Sequence, residues 1–237
     1  MVDLSHIESW IFDLDNTLYD ARLQLFAQID ARMTAFIRDQ LSLNHGTARK
    51  LQKDLYVKYG ATMRGLMTEH DVCPDQFMDF VHDIDLTAIR ENPALGAALA
   101  ILPGRKFIYT NGSTRHAENV ARALGVYHQF DDVFDIKAAG YAPKPQRQSY
   151  ELFLKDHSVD PMRAIMFEDI AQNLETPYAV GMTTVLVCSD APWLEDEPQA
   201  KRPARPGDTA DHIHYVTDNL TAFLQNAQLP PPTRRAI

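Results

Sequence analysis

The run Ser9-Trp10-Ile11-Phe12, followed at once by Asp13-Leu14-Asp15-Asn16-Thr17, constrains this chain more than any other stretch. A short unbroken apolar run is the pattern of a strand buried on both faces of a parallel sheet. In open α/β sheets ligands gather beyond the strand carboxyl ends, so two carboxylates at that edge stand where a cation or an electrophile would be held. An acidic turn that merely caps a following helix, with Asp15 or Thr17 as N-cap, accounts for the same residues more simply.

The chain beyond residue 103 favours the first reading. Residues 106–110 form a second short apolar run ending in Thr110-Asn111-Gly112-Ser113, and Thr114 is the expected cap of the helix that follows, ended by Gly125. Residues 133–136, 164–167 and 183–187 read as three more strands, the fourth of the series ending in Glu168-Asp169. Between them lies Pro143-Lys144-Pro145, whose prolines restrict the backbone around the lysine. Residues 212–216 read as an edge strand and 218–227 as a closing helix.

Residues 18–102 have a different texture. Phe26, Ile29, Met33, Phe36, Ile37 and Leu41 recur at helical spacing. Thr47 is the expected cap of a second helix ended by Gly60, and a third is expected over 62–69. A fourth begins at Pro74 and should bury Phe77, Phe80 and Val81; a fifth is capped by Asn92 with Pro93 behind it. The expected division is therefore a core of residues 1–17 and 103–228, an inserted all-helical cap over 18–102, and a loose Pro-rich tail at 229–237. Residues 189–211, with four prolines and many charges, read as an irregular excursion.

A parallel sheet with right-handed crossovers brings all strand carboxyl ends to one edge, so Asp13, Asp15, Thr110, Asn111, Gly112, Lys144, Glu168 and Asp169 can converge. That set suits phosphoryl transfer, which is accelerated mainly by positioning and by neutralising charge on the transferring group. Carboxylates of Asp13 and Asp169 can hold Mg2+, a hard cation that prefers oxygen. Lys144 adds positive charge, Thr110 a hydroxyl, and the amides of Asn111 and Gly112 lie near a helix N-terminus. Asp13 is the expected nucleophile, giving an aspartyl-phosphate, and Asp15 the acid that protonates the leaving alkoxide and the base that then activates water.

The ordered motifs Asp13-Leu14-Asp15-Asn16-Thr17, Thr110-Asn111-Gly112, Lys144 and Glu168-Asp169-x-x-x-Asn173 resemble the haloacid dehalogenase superfamily, most of whose members are phosphatases. The resemblance implies a Rossmann-like three-layer α/β core with a parallel sheet and a mobile helical cap. It makes Asp169 the main side-chain metal ligand of its loop, with the Asp15 backbone carbonyl contributing, Glu168 a possible further ligand, and Thr17 and Asn173 in support. Within the superfamily, residues 10–19, Tyr59-Gly60-x-Thr62-x-Arg64-Gly65-Leu66, Pro143-Lys144-Pro145 and Phe167-Glu168-Asp169 look like the pyrimidine 5′-nucleotidase group, although Asp20 stands where that group carries proline. The substrate so implied is a pyrimidine nucleoside monophosphate. Of the polar cap residues Tyr59, Arg64, His82, Asp83 and Asp85, Arg64 and Tyr59 are the expected specificity candidates.

Phosphatases or mutases acting on sugar phosphates or other small metabolites are the nearest alternatives. A 2-haloacid dehalogenase would need neither Asp15 as acid nor Asp169 as ligand, and a silent binding protein would not need four intact loops. A net charge of −9 argues against nucleic acid polymers and anionic membranes as partners. Two distant cysteines, Cys73 and Cys188, and an N-terminus without a signal peptide's pattern point to the cytoplasm.

Overall fold

The structure is a computed structural model, and it describes residues 2–196 and 202–229. Eight strands are present among the described residues: β1 (Val2–Asp3), β2 (Ser9–Phe12), β3 (Arg105–Tyr109), β4 (Asp132–Phe134), β5 (Ala164–Glu168), β6 (Thr183–Val187), β7 (Tyr215–Thr217) and β8 (Ala227–Gln228). The nine α-helices among the described residues are α1 (Leu25–Gln40), α2 (His45–Tyr59), α3 (Thr62–His70), α4 (Pro74–Val81), α5 (Pro93–Ala100), α6 (Thr114–Ala123), α7 (Arg147–Asp156), α8 (Glu175–Ala179) and α9 (Leu220–Gln225). Six strands form one sheet in the order β4-β3-β2-β5-β6-β7, and every pairing in it is parallel. β1 and β8 make a separate parallel pair near the two ends of the described chain.

The acid-bearing β2 lies at the centre, with Phe12 in register with Ile108 of β3 and with Phe167 of β5. All four of its residues are buried, as a strand covered on both faces requires. Alternate side chains divide between two apolar clusters. Trp10, Phe12, Ile108, Ile165, Phe167 and Val185 pack on one face with Leu95, Leu99, Val120 and Leu224 from α5, α6 and α9. Ile11, Phe107, Tyr109, Met166 and Leu186 pack on the other with Tyr150 and Phe153 from α7. This is the three-layer α/β arrangement expected from the strand pattern. The Phe12 and Phe167 rings stack 4.7 Å apart at 4° and join the two strands that carry the acids.

The helices α1–α4 close a third cluster around Ile29, Ile37, Leu55, Met63, Leu66, Phe77 and Val81. Gly60, at φ +81°, ends α2 in a left-handed conformation that glycine adopts without penalty. Gly65 lets α3 approach α2, since a β-carbon there would lie 2.7 Å from that of Leu55. Phe80, expected in this interior, is instead 36% exposed, edge-on to Phe36 and covered on one side by the Arg32 guanidinium. α5 packs with the sheet cluster and not with α1–α4. From that packing we propose a cap that ends before α5, short of the residue 102 suggested by helix content.

Two caps differ from expectation by short steps. Asn44, not Thr47, caps α2, its side-chain oxygen accepting the Thr47 amide at 2.9 Å. Ser113, not Thr114, caps α6 by accepting the His116 amide. In the excursion, Trp193 donates to the Ala21 carbonyl at 2.8 Å, and Ala191 and Leu194 pack on Ala21. The expected tail beyond residue 229, and the excursion's residues 197–201, lie outside the described residues.

Candidate active site

β2 delivers Asp13 to the carboxyl edge of the sheet, where its amide is held by the Phe167 carbonyl at 2.9 Å. The chain then turns through Asn16, whose φ of +62° is a conformation asparagine tolerates better than most residues. From across the cleft Lys144 reaches in. Its Nζ donates to Asp13 Oδ1 at 2.6 Å and to the Tyr109 carbonyl at 2.9 Å, and lies 2.8 Å from Glu168 Oε1. Its amide donates to Asn111 Oδ1 at 2.9 Å, so the 110–112 loop fixes the lysine's backbone. The peptide that follows, Lys144-Pro145, is cis.

Glu168 is fully engaged. Oε1 also accepts from Asn173 Nδ2 at 2.7 Å, and Oε2 accepts from the Ile170 amide at 2.8 Å. Asp169 Oδ2 accepts from Asn16 Nδ2 at 3.2 Å. Thr110 Oγ1 accepts from the Gly112 amide at 2.9 Å, which folds the 110–112 loop on itself. Asp13, Asp15, Thr110, Asn111, Gly112, Lys144, Glu168, Asp169 and Asn173 all line one cavity between sheet edge and cap. Thr17, expected in support, is buried beside it, and its hydroxyl has no hydrogen-bond partner, like Asn16 Oδ1.

The charges in this buried cluster do not balance. Asp13, Glu168 and Asp169 offer oxygens that all lie within 4.8 Å of one another, against one ammonium. Burial pushes the Asp13 carboxyl up to about 7; Lys144 opposes that shift while Glu168 and Asp15 add to it. Burial, with Glu168 and Asp13 nearby, pushes Asp169 well above the usual carboxylate range. At Glu168 burial acts the same way, but Lys144 and the Ile170 amide outweigh it and the net direction is downward. Surplus buried negative charge of this kind is relieved by an oxygen-preferring divalent cation. A Mg2+ ion fits the donor set, with Asp13 and Asp169 the carboxylates freest to hold it.

Asp15 has a different environment. Its Oδ1 accepts from the Tyr19 hydroxyl at 2.7 Å and from His116 Nε2 at 2.9 Å. Burial raises its pKa, but His116 and Tyr19 outweigh this and hold the carboxyl below its ordinary value. The His116 ring is stacked on His82 of the cap, with centroids 4.4 Å apart and 6° between planes. Burial and the neighbouring His116 drive His82 down to about 3, so it is neutral. Tyr19 closes the 10–19 motif but had no role assigned to it, and His116 carried no motif signal. The tyrosine's place four residues after Asp15 was the one available hint.

The cap wall of the cavity is not the one expected. Arg64 Nη1 donates to the Tyr141 carbonyl at 2.7 Å, and the Tyr59 hydroxyl donates to Glu69 at 2.7 Å; neither residue lines the cavity. Both side chains are satisfied by neighbours that sequence reading did not place beside them. Of the five polar cap residues singled out, His82 alone is among the lining residues. The wall is built instead by apolar Phe26, Ile29, Met33 and Phe77 around Asp30, Gln52 and Lys53. Asp30 accepts from Gln52 Nε2 at 2.6 Å, Lys53 Nζ at 2.7 Å and Arg49 Nη1 at 2.8 Å.

The model of the haloacid dehalogenase-like hydrolases matches residues 8–181 of this chain, which takes in the cap and all four loops. The chain belongs to that family. Solved structures similar to this hydrolase include a HAD phosphatase from Thermococcus onnurineus, 16% identical, with a TM-score of 0.58 over 92% of this chain and 97% of that one. An L-2-haloacid dehalogenase from Xanthobacter autotrophicus is 17% identical with a TM-score of 0.56, over 92% and 97% of the two chains. The HAD-hydrolase YfnB from Bacillus subtilis, bound to magnesium, is 12% identical with a TM-score of 0.55, again over 92% and 97%. At these identities the likeness concerns the fold. Among the described residues no helix of this hydrolase is long and apolar enough to cross a membrane.

Proposed function

We propose that this hydrolase is a Mg2+-dependent phosphomonoesterase acting through an aspartyl-phosphate on Asp13, with a pyrimidine nucleoside monophosphate as substrate. The observation that carries the reading is Asp15. A second carboxyl, two residues from the nucleophile and in the same cavity, is held by Tyr19 and His116. An alkoxide leaving group needs a proton, whereas a halide does not, so an anchored acid at this place supports ester hydrolysis over dehalogenation.

In this reading Asp15 takes up a proton as the anionic substrate binds beside it, Asp13 attacks phosphorus, the ester P–O bond breaks, and Asp15 gives that proton to the departing oxygen. Asp15 then takes a proton from the water that hydrolyses the aspartyl-phosphate. Lys144 supplies positive charge beside the nucleophile, and the 110–112 loop binds phosphate oxygens. Asp13, Asp169 and the Asp15 carbonyl would hold the metal, which neutralises charge on the transferring group when bound. Glu168 serves mainly to place Lys144.

The cap wall supports a nucleotide. A flat base would lie against Phe26, Met33 and Phe77, with its polar edge facing Gln52, Asp30 and Lys53. Two free cysteines suit the reducing cytoplasm. The test is a phosphate-release screen over nucleoside monophosphates, sugar phosphates and p-nitrophenyl phosphate, with Mg2+ and with chelator, beside a chloride-release assay on 2-chloropropionate. Metal-dependent release, highest on UMP or CMP, is expected. Chloride without phosphate would establish the dehalogenase reading in its place, and a preference for sugar phosphates would remove the nucleotide assignment.

A further inference from the structure

We propose that His116 is a positioning residue for Asp15, and that His82, carried on the cap, secures His116 when the cap is closed, so that proton delivery to the leaving oxygen is coupled to closure. This rests on the phosphomonoesterase reading above and adds a device to it. The two histidines come from different parts of the chain. His82 follows the last turn of cap helix α4, and His116 lies in the first turn of α6, beneath the phosphate loop.

Both donors to Asp15, the Tyr19 hydroxyl and His116 Nε2, fall on the same oxygen, Oδ1. A carboxyl torsion is soft, so an unrestrained Asp15 would sample many orientations. Two donors on Oδ1 fix the plane of the group and leave Oδ2 as the oxygen for proton transfer. Ser113 Oγ accepts the His116 amide at 3.3 Å and is hydrogen-bonded to His82 Nδ1 at 2.9 Å. His82 is thereby docked on the core by one hydrogen bond and one ring face.

That ring face covers the imidazole that holds Asp15, with the rings 4.4 Å apart and nearly parallel. The His116 side chain is 1% exposed with the cap in this position. Withdrawal of the cap removes His82 from the stack, admits water to His116 and weakens its bond to Asp15. The acid is then least well aimed when the site is open to solvent, and best aimed when the substrate is enclosed.

The experiment compares kcat/KM for two esters in the presence of Mg2+. Glycerol 2-phosphate leaves as an alkoxide that needs a proton; p-nitrophenyl phosphate leaves as a stable phenolate. The ratio kcat/KM reports the first transfer and is unaffected by later hydrolysis of the aspartyl-phosphate. His116→Asn should lower kcat/KM for the alkyl ester by on the order of a hundredfold and for the aryl ester by less than about tenfold. His116→Gln, which can place an amide N–H near the position of Nε2, should recover most of the loss. His82→Ala should reproduce the same selectivity at smaller size, and it carries the test if His116→Asn does not fold. Equal losses on both esters, or no loss on either, overturn the coupling while leaving the phosphatase intact. A wild type that releases phosphate from neither ester, nor from UMP or CMP, removes the phosphatase reading itself, and the coupling with it; if it accepts only the nucleotides, UMP replaces glycerol 2-phosphate, and its 5′-S-phosphorothiolate analogue, which leaves as a thiolate, replaces the aryl probe.

Discussion

The ammonium of Lys144 lies 2.6 Å from the Asp13 carboxylate, and both side chains are buried. Burial opposes the lysine's charge, but Asp13 and Glu168 outweigh it and hold its pKa above the ordinary value. Removing either partner therefore has unequal consequences. Lys144→Met leaves Asp13, Glu168 and Asp169 with no cation and should cost about 3–5 kcal/mol of stability together with all turnover. Asp13→Asn leaves Lys144 paired with Glu168; it should abolish phosphate release while lowering the melting temperature far less. Thermal melts beside activity assays on the two variants check the contrast.

A divalent cation should stabilise the fold because it relieves surplus negative charge at Asp13 and Asp169. At a Mg2+ concentration a hundred times the dissociation constant, the gain is about 2.7 kcal/mol. Asp169→Asn should melt at or above the wild-type temperature in chelator, yet gain little from added Mg2+. A variant that keeps the full Mg2+ shift would exclude Asp169 as a ligand.

The Asp13 carboxyl, pushed up to about 7 by burial, also sets a pH dependence in the metal-free protein. A carboxyl whose folded pKa lies above its unfolded value binds more protons folded than unfolded between the two. Its contribution to stability is therefore present at low pH and lost as pH rises from about 4 to 7. In chelator, the wild type should lose stability over this window relative to Asp13→Asn, and Mg2+ should flatten the difference. Unfolding midpoints in urea at four pH values measure it.

Cap residues should separate into two kinds. Arg64 ties the cap to the Tyr141 carbonyl and stands outside the cavity, so Arg64→Ala should raise KM for all esters by a similar factor. Gln52 and Asp30 face the cavity, with Gln52 also bonded to Thr34, so Gln52→Ala should reorder the preference among esters. Profiling both variants on one phosphate-ester panel distinguishes the effects.

Strands and their acid ends were legible in the sequence because each carries its own local signature. The apolar run 9–12, the polar loop after residue 109 and the pair Glu168-Asp169 all lie where the pattern put them. Caps were less legible. Asn44 and Thr47, or Ser113 and Thr114, are equally suitable residue types, and only side-chain reach decides between them. The partners of the acid were not legible at all. His116 meets Asp15 across 101 residues, and Arg64 meets Tyr141 across 77, distances over which helical periodicity carries no information. α5 follows the cap helices in sequence, yet its leucines face the sheet, a choice that a nearly all-apolar segment does not reveal.

Among the described residues the cap's apolar cluster draws on residues from 26 to 84, with Ile136 and Tyr141 alone reaching it from beyond. Under the proposed function, almost the whole interior of α1–α4 could therefore be redesigned, and the departing group changed with it, without touching the acids, the lysine or the strands that carry them.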